Sequence, residues 1–249
     1  MKDTKLYSTG MDSSSAPERP RTALVTGGSR GIGFAIAEAL VAKGIAVAIT
    51  GRDERALEAA RQKLGATALA LAADLQQDRE AAHAVDTAAE RLGGLDVLVN
   101  NAGVGVFATV AEMTTAQWRQ VIDTNLSGVF YCCRAALPHL RRRGGGWIIN
   151  ISSLASKNPF ANGAAYSASK AGLNQFSEAL MQEVRHDNIR VSCVLPGSVA
   201  TEFGGRGDRK PADWKLTADD VARVVVDLIE HPGRSLPSRV ELRPSRPPR

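Results

Sequence analysis

The sequence is poor in cysteine and aromatic residues and has no long apolar run. Its 249 residues include three cysteines, too few for a disulfide framework, and only 5% are aromatic. Since 44% are nonetheless hydrophobic, aliphatic residues must form most of the core, which is typical of buried parallel strands. No segment approaches the roughly 18 consecutive apolar residues of a membrane-spanning helix. We therefore expect a globular protein with no membrane partner.

The few cysteines and histidines match no metal-binding pattern. Cys132 and Cys133 are adjacent on an apolar helical stretch, where neighbouring side chains diverge by about 100°. Cys193 lies in a strand-like run, and the histidines follow no zinc-ligand spacing. The histidines are His83, His139, His186 and His231. A reducing, cytoplasmic setting without a structural metal is the simplest expectation.

The net charge of +5 raises the question of nucleic-acid binding. One basic cluster is Arg141–Arg143, and another is the proline-rich segment Ser235–Arg249. Neither is interleaved with aromatic residues, and no recognition motif accompanies them. We interpret them as a solvated helix end and a basic tail, and we expect no nucleic-acid partner.

The first 20 residues differ in composition from the rest of the chain. They are polar, rich in Ser and Pro, and lack the apolar centre of a signal peptide. We predict a disordered N-terminal extension over residues 1–20. From Thr22 onward no linker interrupts the pattern, so residues 21–249 are predicted to form one catalytic domain.

Short strand-like runs alternate with helical stretches throughout that domain. The strand-like runs are Thr22–Thr26, Ile45–Thr50, Ala68–Ala72, Leu95–Asn100, Trp147–Ser152, Arg190–Leu195 and Arg239–Leu242. The helical stretches are Gly31–Lys43, Asp53–Leu64, Asp78–Leu92, Thr115–Arg142, Gly163–His186 and Ala218–His231. Strands separated by such helices require parallel crossovers. The pattern predicts an α/β protein: a single-domain Rossmann fold with a doubly wound parallel sheet of about seven strands flanked by helices.

A glycine-rich turn joins the first strand to the first helix. Glycines allow a tight turn and a close approach of the backbone to a pyrophosphate, while the helix N-terminus offers free N–H groups and partial positive charge. The strand–turn–helix setting favours a dinucleotide site over an ordinary loop. The positions predicted to hold the cofactor are Gly27, Ser29, Arg30, Gly31, Ile32 and Gly33.

Tyr166 and Lys170 are spaced four residues apart at the start of a predicted helix. That spacing places both side chains on one helical face. Free tyrosine has a pKa of about 10, which is too high for efficient proton transfer at neutral pH. A nearby ammonium favours the phenolate, so we predict that Lys170 lowers the pKa of Tyr166 and that the pair performs acid–base chemistry.

The spacing of the glycine turn, Thr-Gly-x-x-x-Gly-x-Gly, resembles the short-chain dehydrogenase/reductase family, specifically its members of about 250 residues with a Tyr-x-x-x-Lys pair. The resemblance extends along nearly the whole chain after residue 21. It implies an NADP-preferring enzyme of the carbonyl reductase or 3-oxoacyl reductase kind. The further cofactor-binding positions that it implies are Asp74, Leu75, Asn101, Ala102, Gly103, Tyr166, Lys170, Pro196, Gly197, Val199 and Thr201.

The resemblance also implies a catalytic set of four residues. Ser153 is preferred over Ser152 because its interval to Tyr166 equals the usual family interval. Asn125 matches the fourth catalytic residue of the family, in mid-helix. Tyr166 then donates a proton to a carbonyl oxygen as hydride reaches the carbon, and Lys170 holds the nicotinamide ribose. Ser153 polarises the carbonyl and Asn125 supports the proton relay.

Residues at the end of the second strand indicate whether the coenzyme is NAD or NADP. An NAD-preferring site carries a carboxylate about 20 residues beyond the glycine motif, but here that position is Gly51, followed by Arg52. Arg30 adds a second guanidinium, and two such groups suit a 2′-phosphate. Asp53 is interpreted as the N-cap of the next helix. The predicted cofactor is NADP(H).

The substrate and the oligomeric state are less constrained. The segment Thr201–Leu216 contains several cations, which favour either a solvated loop or contact with an acidic substrate such as a phosphopantetheine-borne acyl group. The C-terminal run from Val240 to Pro244 resembles the broader carbonyl-reductase members. We expect a small carbonyl or alcohol substrate and a homodimer or homotetramer. The family resemblance implies that Thr115–Arg142 and Gly163–His186 form the subunit face.

Two other kinds of function compete with an enzyme. A dinucleotide-sensing regulator would keep the glycine turn without the proton relay, and the complete Asn125, Ser153, Tyr166 and Lys170 set argues against it. A nucleic-acid-associated protein would use the basic clusters, and its binding would depend strongly on salt.

Overall fold

The computed structural model describes residues 22–201, 203 and 213–247. The strands are β1 (Thr22–Val25), β2 (Ala46–Gly51), β3 (Leu69–Ala72), β4 (Val97–Asn100), β5 (Gly146–Ile151), β6 (Ile189–Pro196) and β7 (Arg239–Leu242). The helices are α1 (Gly31–Ala42), α2 (Glu54–Leu64), α3 (Asp78–Leu92), α4 (Thr115–Ile122), α5 (Gly128–Arg142), α6 (Ala164–Val184) and α7 (Ala218–Ile229). The predicted extension at residues 1–20 lies outside the described residues, as does most of the basic segment between Thr201 and Leu216. The division into extension and domain therefore stays a prediction.

The seven strands form one parallel sheet in the order β3-β2-β1-β4-β5-β6-β7. Strands β1, β4 and β5 are buried along their whole length, as expected for aliphatic runs covered on both faces. Each predicted strand lies within two residues of an observed one. The sheet confirms the predicted doubly wound Rossmann fold.

The direction of winding reverses between β1 and β4. The chain proceeds from β1 outward through β2 and β3, and then returns to place β4 on the other side of β1. In open α/β sheets this reversal creates a crevice beyond the carboxyl ends of the strands, where ligands bind. The glycine turn after β1 and the Asn101-Ala102-Gly103 segment after β4 border this crevice.

Two apolar layers pack against the two faces of the sheet. One layer joins α1, α2 and α7 to the sheet through buried aliphatic side chains such as Ile36, Leu57 and Val225. The other joins α3, α5 and α6 through residues such as Val85 and Leu173. Each fully buried aliphatic side chain contributes about 1.5–3 kcal/mol relative to an exposed one. These layers hold the strand ends, and thus the crevice, in a fixed arrangement.

The helix predicted as Thr115–Arg142 is interrupted in the structure. Helix α4 ends at Ile122, a single π-helical turn spans Asp123–Ser127, and α5 continues from Gly128. Such π turns occur often at functional sites, and here the turn contains Asn125. The prediction of one continuous helix was wrong because hydrophobic periodicity does not register one wider turn within a helix.

The remaining helices end within two residues of their predicted limits. Helix α6 ends at Val184 and is followed by a 3-10 turn at Arg185–Asp187, after which Asn188 adopts a left-handed conformation with φ of 55°. Asp53 caps α2, since its carboxylate accepts hydrogen bonds of 3.0 Å from the backbone N–H groups of Arg55 and Ala56. The predicted role of Asp53 is confirmed.

The cysteines are free thiols in buried surroundings. Burial raises the pKa of Cys132 to about 12 and also raises the pKa of Cys133, so both remain protonated and unreactive. Within the described ranges, no group of three or more possible metal ligands is present. In the same part of the chain, no helix is both long and apolar enough to cross a membrane.

The arginine cluster at the end of α5 forms ion pairs within the chain. Arg141 Nε lies 2.7 Å from a carboxylate oxygen of Asp187, and Arg143 Nε lies 2.6 Å from Asp96 Oδ1. The Asp96 carboxylate is largely buried and also accepts hydrogen bonds from the backbone N–H and hydroxyl of Thr22. The charges at this helix end are therefore partly neutralised by the fold itself.

Candidate active site

The glycine turn after β1 leaves space that side chains would fill. Gly27 and Gly31 have φ values of +63° and +57°, which glycine adopts most readily. A Cβ on Gly33 would lie 2.2 Å from the Gly27 carbonyl oxygen. Arg30 at the N-cap of α1 makes no side-chain cap hydrogen bond, and the first N–H groups of a helix have no partner within the helix and can bind an anion. The turn therefore fits a pyrophosphate.

Asn101 and Thr26 fasten the ends of β1 and β4 to each other. The Asn101 side-chain amide donates to the carbonyl oxygens of Thr26, at 2.9 Å, and Gly27, at 3.1 Å. The Thr26 hydroxyl accepts hydrogen bonds of 3.0 Å from the backbone N–H groups of Asn101 and Ala102. These bonds hold the glycine turn beside the segment that continues through Ala102 to Gly103.

The end of β2 lies against the glycine turn. The backbone N–H of Gly28 donates to the Thr50 carbonyl at 3.0 Å, and a Cβ on Gly51 would lie 3.5 Å from the Ser29 hydroxyl oxygen. Arg30 in the turn and Arg52 directly after β2 are both exposed at this edge. The Asp53 carboxylate, also at this edge, accepts from the first backbone N–H groups of α2.

The remaining predicted cofactor positions lie at the ends of β3 and β6. Asp74 and Leu75 follow β3; the Asp74 carboxylate accepts from the backbone N–H of Gln76 at 3.2 Å, and Leu75 is buried. On the far side, β6 ends at Pro196, and the N–H of Gly197 donates to the Leu242 carbonyl at 2.8 Å.

The segment after β6 returns toward the glycine turn. Val199 forms an isolated parallel bridge with Leu216. A Cβ on Gly31 would lie 3.6 Å from the Thr201 methyl group. Thr201 therefore reaches the start of α1, and the predicted cofactor positions after β1 and β6 lie close together. Each predicted cofactor position lies at the carboxyl edge of the sheet.

Tyr166 lies in the first turn of α6, close to Ser153 after β5. Although part of the tyrosine surface reaches solvent, most of its side chain is surrounded by protein. Burial therefore raises the pKa of Tyr166 above its ordinary value, and a hydrogen bond with the Ser153 hydroxyl opposes the rise. This direction differs from the prediction that Lys170 lowers the pKa of Tyr166. The reason is that burial outweighs the effect of an ammonium 5.9 Å from the tyrosine ring centroid.

Lys170 is buried at the base of the site. Its Nζ donates a hydrogen bond of 2.7 Å to the carbonyl oxygen of Ile151, the last residue of β5. Desolvation lowers the pKa of Lys170 from 10.5 to about 8. The side chain is thus mostly an ammonium at pH 7, held at the strand end rather than exposed to water.

Asn125 connects the π-helical turn to the segment after β4. Its Oδ1 accepts from the Val104 N–H at 2.8 Å, and its Nδ2 donates to the Val104 carbonyl and to the Ser169 hydroxyl, both at 3.0 Å. A Cβ on Gly103 would lie 3.3 Å from Asn125 Oδ1 and 3.7 Å from Lys170 Nζ. The four predicted catalytic residues therefore lie around one place, next to Gly103.

Sequence reasoning missed several side chains that support this set. Ser169 joins Asn125 to α6, because its hydroxyl also donates to the Tyr166 carbonyl at 2.7 Å. Below the site, Asn100 donates to Asn150 at 2.8 Å, and Asn150 donates to Ser177 at the same distance. The only sequence signal for this series of hydrogen bonds was the asparagine in each of the buried strands β4 and β5. Three phenylalanines around Tyr166 were also missed.

The arrangement provides for proton transfer to or from a bound oxygen atom. Tyr166 carries an exchangeable proton, Ser153 donates or accepts beside it, and Lys170 places positive charge behind both. The glycine turn, the Gly103 segment and Thr201, which are predicted to hold the dinucleotide, adjoin this set. The residues predicted for proton transfer and those predicted for cofactor binding thus lie together at the crevice between β1 and β4.

Comparison with known proteins agrees with this geometry. The family model for short chain dehydrogenases matches residues 21–211. A Haemophilus influenzae protein described as a probable NADP-dependent dehydrogenase is 35% identical over 235 residues, covering 90% of this chain and 93% of that protein. A 3-oxoacyl-acyl-carrier-protein reductase of Chlamydia muridarum is 36% identical over 199 residues, covering 78% of this chain and 80% of that protein.

A solved structure shares the same architecture. The crystal structure of a metagenomic short-chain oxidoreductase in complex with NADP superposes with a TM-score of 0.80. Its sequence is 40% identical, and the match covers 91% of this chain and 98% of that one.

Proposed function

The chain belongs to the short-chain dehydrogenase family, and from that premise we propose that it is an NADP(H)-dependent oxidoreductase that transfers hydride between nicotinamide and a carbonyl or secondary alcohol carbon. One observation carries the proposal: Asn125, Ser153, Tyr166 and Lys170 surround the strand-end segment that continues the dinucleotide cradle. A sensor of dinucleotides would not require this proton-transfer set.

In the proposed reduction, a bound nicotinamide would supply hydride to the carbonyl carbon, and residues of this chain supply the proton. Because burial raises its pKa, Tyr166 is a phenol at neutral pH, the form that can donate. Its hydroxyl proton passes to the carbonyl oxygen as negative charge develops there. Ser153 donates a hydrogen bond to the same oxygen, and the Lys170 ammonium stabilises the phenolate left behind. Water then returns a proton to the Tyr166 oxygen.

Asn125 holds this arrangement through the backbone rather than through the reacting atoms. Its amide joins Val104 to Ser169, and Ser169 in turn bonds the carbonyl of Tyr166. The tyrosine is therefore positioned relative to the segment that follows Gly103. We assign Asn125 a role in organising the proton relay, as the family resemblance implies.

The proposed cofactor is NADP(H), in agreement with relatives. The Haemophilus relative is described as NADP-dependent, and the metagenomic structure contains NADP. In this chain Arg30 and Arg52 lie at the sheet edge where a 2′-phosphate would be bound, and no carboxylate follows Gly51 directly.

Arg52→Asp tests this coenzyme assignment. A charge-assisted hydrogen bond contributes about 1.5–3 kcal/mol, so the ratio of kcat/KM for NADPH to that for NADH should fall at least about tenfold. Arg185→Asp, which changes an arginine directly after the end of α6, is the matched control. An unchanged ratio in Arg52→Asp would contradict the assignment.

The proposed substrate is a ketone or a 3-oxoacyl thioester. The Chlamydia relative is a 3-oxoacyl reductase, whereas the Val240–Pro244 run of this chain resembles carbonyl reductases. Tyr166→Phe should abolish carbonyl reduction while NADPH binding, followed by its fluorescence, is retained. Tyr131→Phe on α5 is the matched control. Retained turnover in Tyr166→Phe would refute the catalytic role.

We also propose a homodimer or homotetramer in the cytoplasm. Phe130 on α5 is 42% exposed and lies edge-on to Phe176 of α6, with ring centroids 6.4 Å apart. This apolar surface on α5 and α6 is a natural subunit face, and three free buried thiols suit a reducing compartment. A monomeric mass by light scattering would contradict the proposed association.

A further inference from the structure

Aromatic side chains are concentrated beside the proposed proton donor. The whole chain has only six phenylalanines, and three of them, Phe107, Phe160 and Phe203, cluster with Tyr166. A chain whose core is built from aliphatic residues has no packing need for such a concentration at one strand edge. The cluster is therefore best explained by what binds there.

The rings form a connected wall around the tyrosine. The Phe107 ring lies 5.9 Å from the Tyr166 ring at an interplanar angle of 71°, and the Phe203 ring lies 5.6 Å from it at 54°. Phe160 extends the wall, with its centroid 5.7 Å from that of Phe107. Phe160 and Phe203 are 48% and 42% exposed, so they retain apolar surface that a bound molecule can cover.

A glycine brings this wall against the segment after β4 that contains Gly103. A Cβ on Gly105 would lie 2.8 Å from both Phe107 Cζ and Phe203 Cε1, so the two rings pack directly on the Gly105 backbone. Gly105 lies two residues beyond Gly103, where a Cβ would lie 3.3 Å from Asn125 Oδ1 and 3.7 Å from Lys170 Nζ. The aromatic surface therefore adjoins Tyr166, the proposed proton donor to the carbonyl oxygen.

The segments that carry Phe107 and Phe160 contain no acidic or basic side chain. Residues 101–111 and 158–169, all described, include no Asp, Glu, Lys or Arg. Lys157, just before the second segment, is paired with Glu241. These two sides of the site thus provide no charged partner for a carboxylate or phosphate next to the reacting carbonyl.

We propose that the substrate carries an aryl group, or a similarly flat conjugated group, directly beside its carbonyl, and that this group binds against Phe107, Phe160 and Phe203. Aromatic rings gain edge-to-face and offset-stacked contacts that a saturated ring of equal size does not. This inference rests on the proposed function and narrows its substrate to aryl ketones and their alcohols.

Binding can be measured without turnover in the Tyr166→Phe variant with NADPH present. Isothermal titration calorimetry would compare acetophenone with cyclohexyl methyl ketone, which has a saturated ring of similar size. Aromatic contacts predict a Kd about threefold to tenfold lower for acetophenone. Adding Phe107→Leu should remove most of that preference, whereas Phe34→Leu, on α1 beside Lys63, should leave it unchanged.

A second variant separates specificity from folding. Phe160 is half exposed, so Phe160→Leu should fold as the wild type does and still reduce the preference for the aryl ketone. Equal Kd values for the two ketones, or an aryl preference unaltered by both leucine substitutions, would overturn the inference.

Turnover distinguishes failure of this inference from failure of the proposed function. With otherwise wild-type protein, Phe107→Leu should lower kcat/KM for acetophenone about tenfold and that for 2-butanone by less than about threefold. Preferred reduction of acidic or aliphatic 3-oxoacyl thioesters would overturn the aryl assignment while leaving the oxidoreductase intact. No reduction of any carbonyl would count against the proposed function, and the binding comparison would still decide the aryl assignment.

Discussion

Replacing Lys170 with methionine should stabilise the protein while removing its proposed activity. The lysine is almost completely buried, and desolvation lowers its pKa from 10.5 to about 8. A tenfold change in a protonation equilibrium corresponds to about 1.4 kcal/mol, so keeping this side chain charged in the folded state costs about 3 kcal/mol at pH 7. Methionine has a similar length and no charge to bury.

The increase in stability expected for Lys170→Met is reduced by the loss of one hydrogen bond. Lys170 Nζ donates to the Ile151 carbonyl at 2.7 Å, and such a bond contributes about 1 kcal/mol. We therefore expect Lys170→Met to raise the free energy of unfolding by about 2 kcal/mol at pH 7. Activity should be lost because the phenolate of Tyr166 would have no adjacent cation.

The size of this gain should depend on pH. The pKa of Lys170 is lower in the folded protein than in the unfolded chain, so the unfolded chain binds more protons between about pH 8 and pH 10.5. The free energy of unfolding of the wild type therefore rises with pH through that window. Below about pH 8 the penalty is present in full. By about pH 9.5 it falls to about 1.5 kcal/mol, so the gain from Lys170→Met should nearly vanish.

Urea unfolding of wild type and variant at pH 7 and about pH 9.5 measures both quantities. Lys43→Met is the control, since Lys43 is exposed and its ion pair with Glu230 at 2.7 Å should contribute less than about 1 kcal/mol at either pH. Destabilisation by Lys170→Met at pH 7, or a difference that is the same at both pH values, would refute the reasoning.

Two further substitutions test the cofactor turn and the buried carboxylate. Gly33→Ala would place a Cβ 2.2 Å from the Gly27 carbonyl oxygen, so NADPH affinity measured by fluorescence titration should fall at least about tenfold. Gly44→Ala, with no atom within 4 Å of its Cβ, should leave the affinity unchanged. Equal affinities of the two variants would contradict the proposed binding of the cofactor at the glycine turn. Asp96→Ala removes the buried carboxylate that accepts from Arg143 and Thr22 and should lower the free energy of unfolding in urea by about 3 kcal/mol; a loss below about 1 kcal/mol would be inconsistent with the ion pair observed at 2.6 Å.

The architecture was predictable because local signals and burial agree. Strands such as β4 and β5 consist of short aliphatic runs, and helices separate them in strict alternation, so parallel crossovers are required. Gly27 and Gly31 could be placed in a turn because glycine adopts positive φ without steric cost. The capping role of Asp53 followed from its position before a helical stretch.

Features that depend on contacts between distant segments were not predictable. The π-helical turn at Asn125 is matched by bonds to Val104, which is 21 residues away. The pKa of Tyr166 rises because protein surrounds the ring, although its spacing from Lys170 predicted the opposite direction. The aromatic wall joins Phe107 and Phe160, which are 53 positions apart in the sequence, so no local pattern reveals it.

The most direct test of the account is to follow deuterium from NADPH labelled at C4 of the nicotinamide into the product alcohol. Wild type and Tyr166→Phe would be incubated with a panel of ketones and 3-oxoacyl thioesters, and the alcohols analysed by mass spectrometry. We predict deuterium at the carbinol carbon with wild type, and a rate lower by at least about a hundredfold with Tyr166→Phe, which should still bind NADPH. Product without deuterium, or undiminished turnover in Tyr166→Phe, would contradict the account.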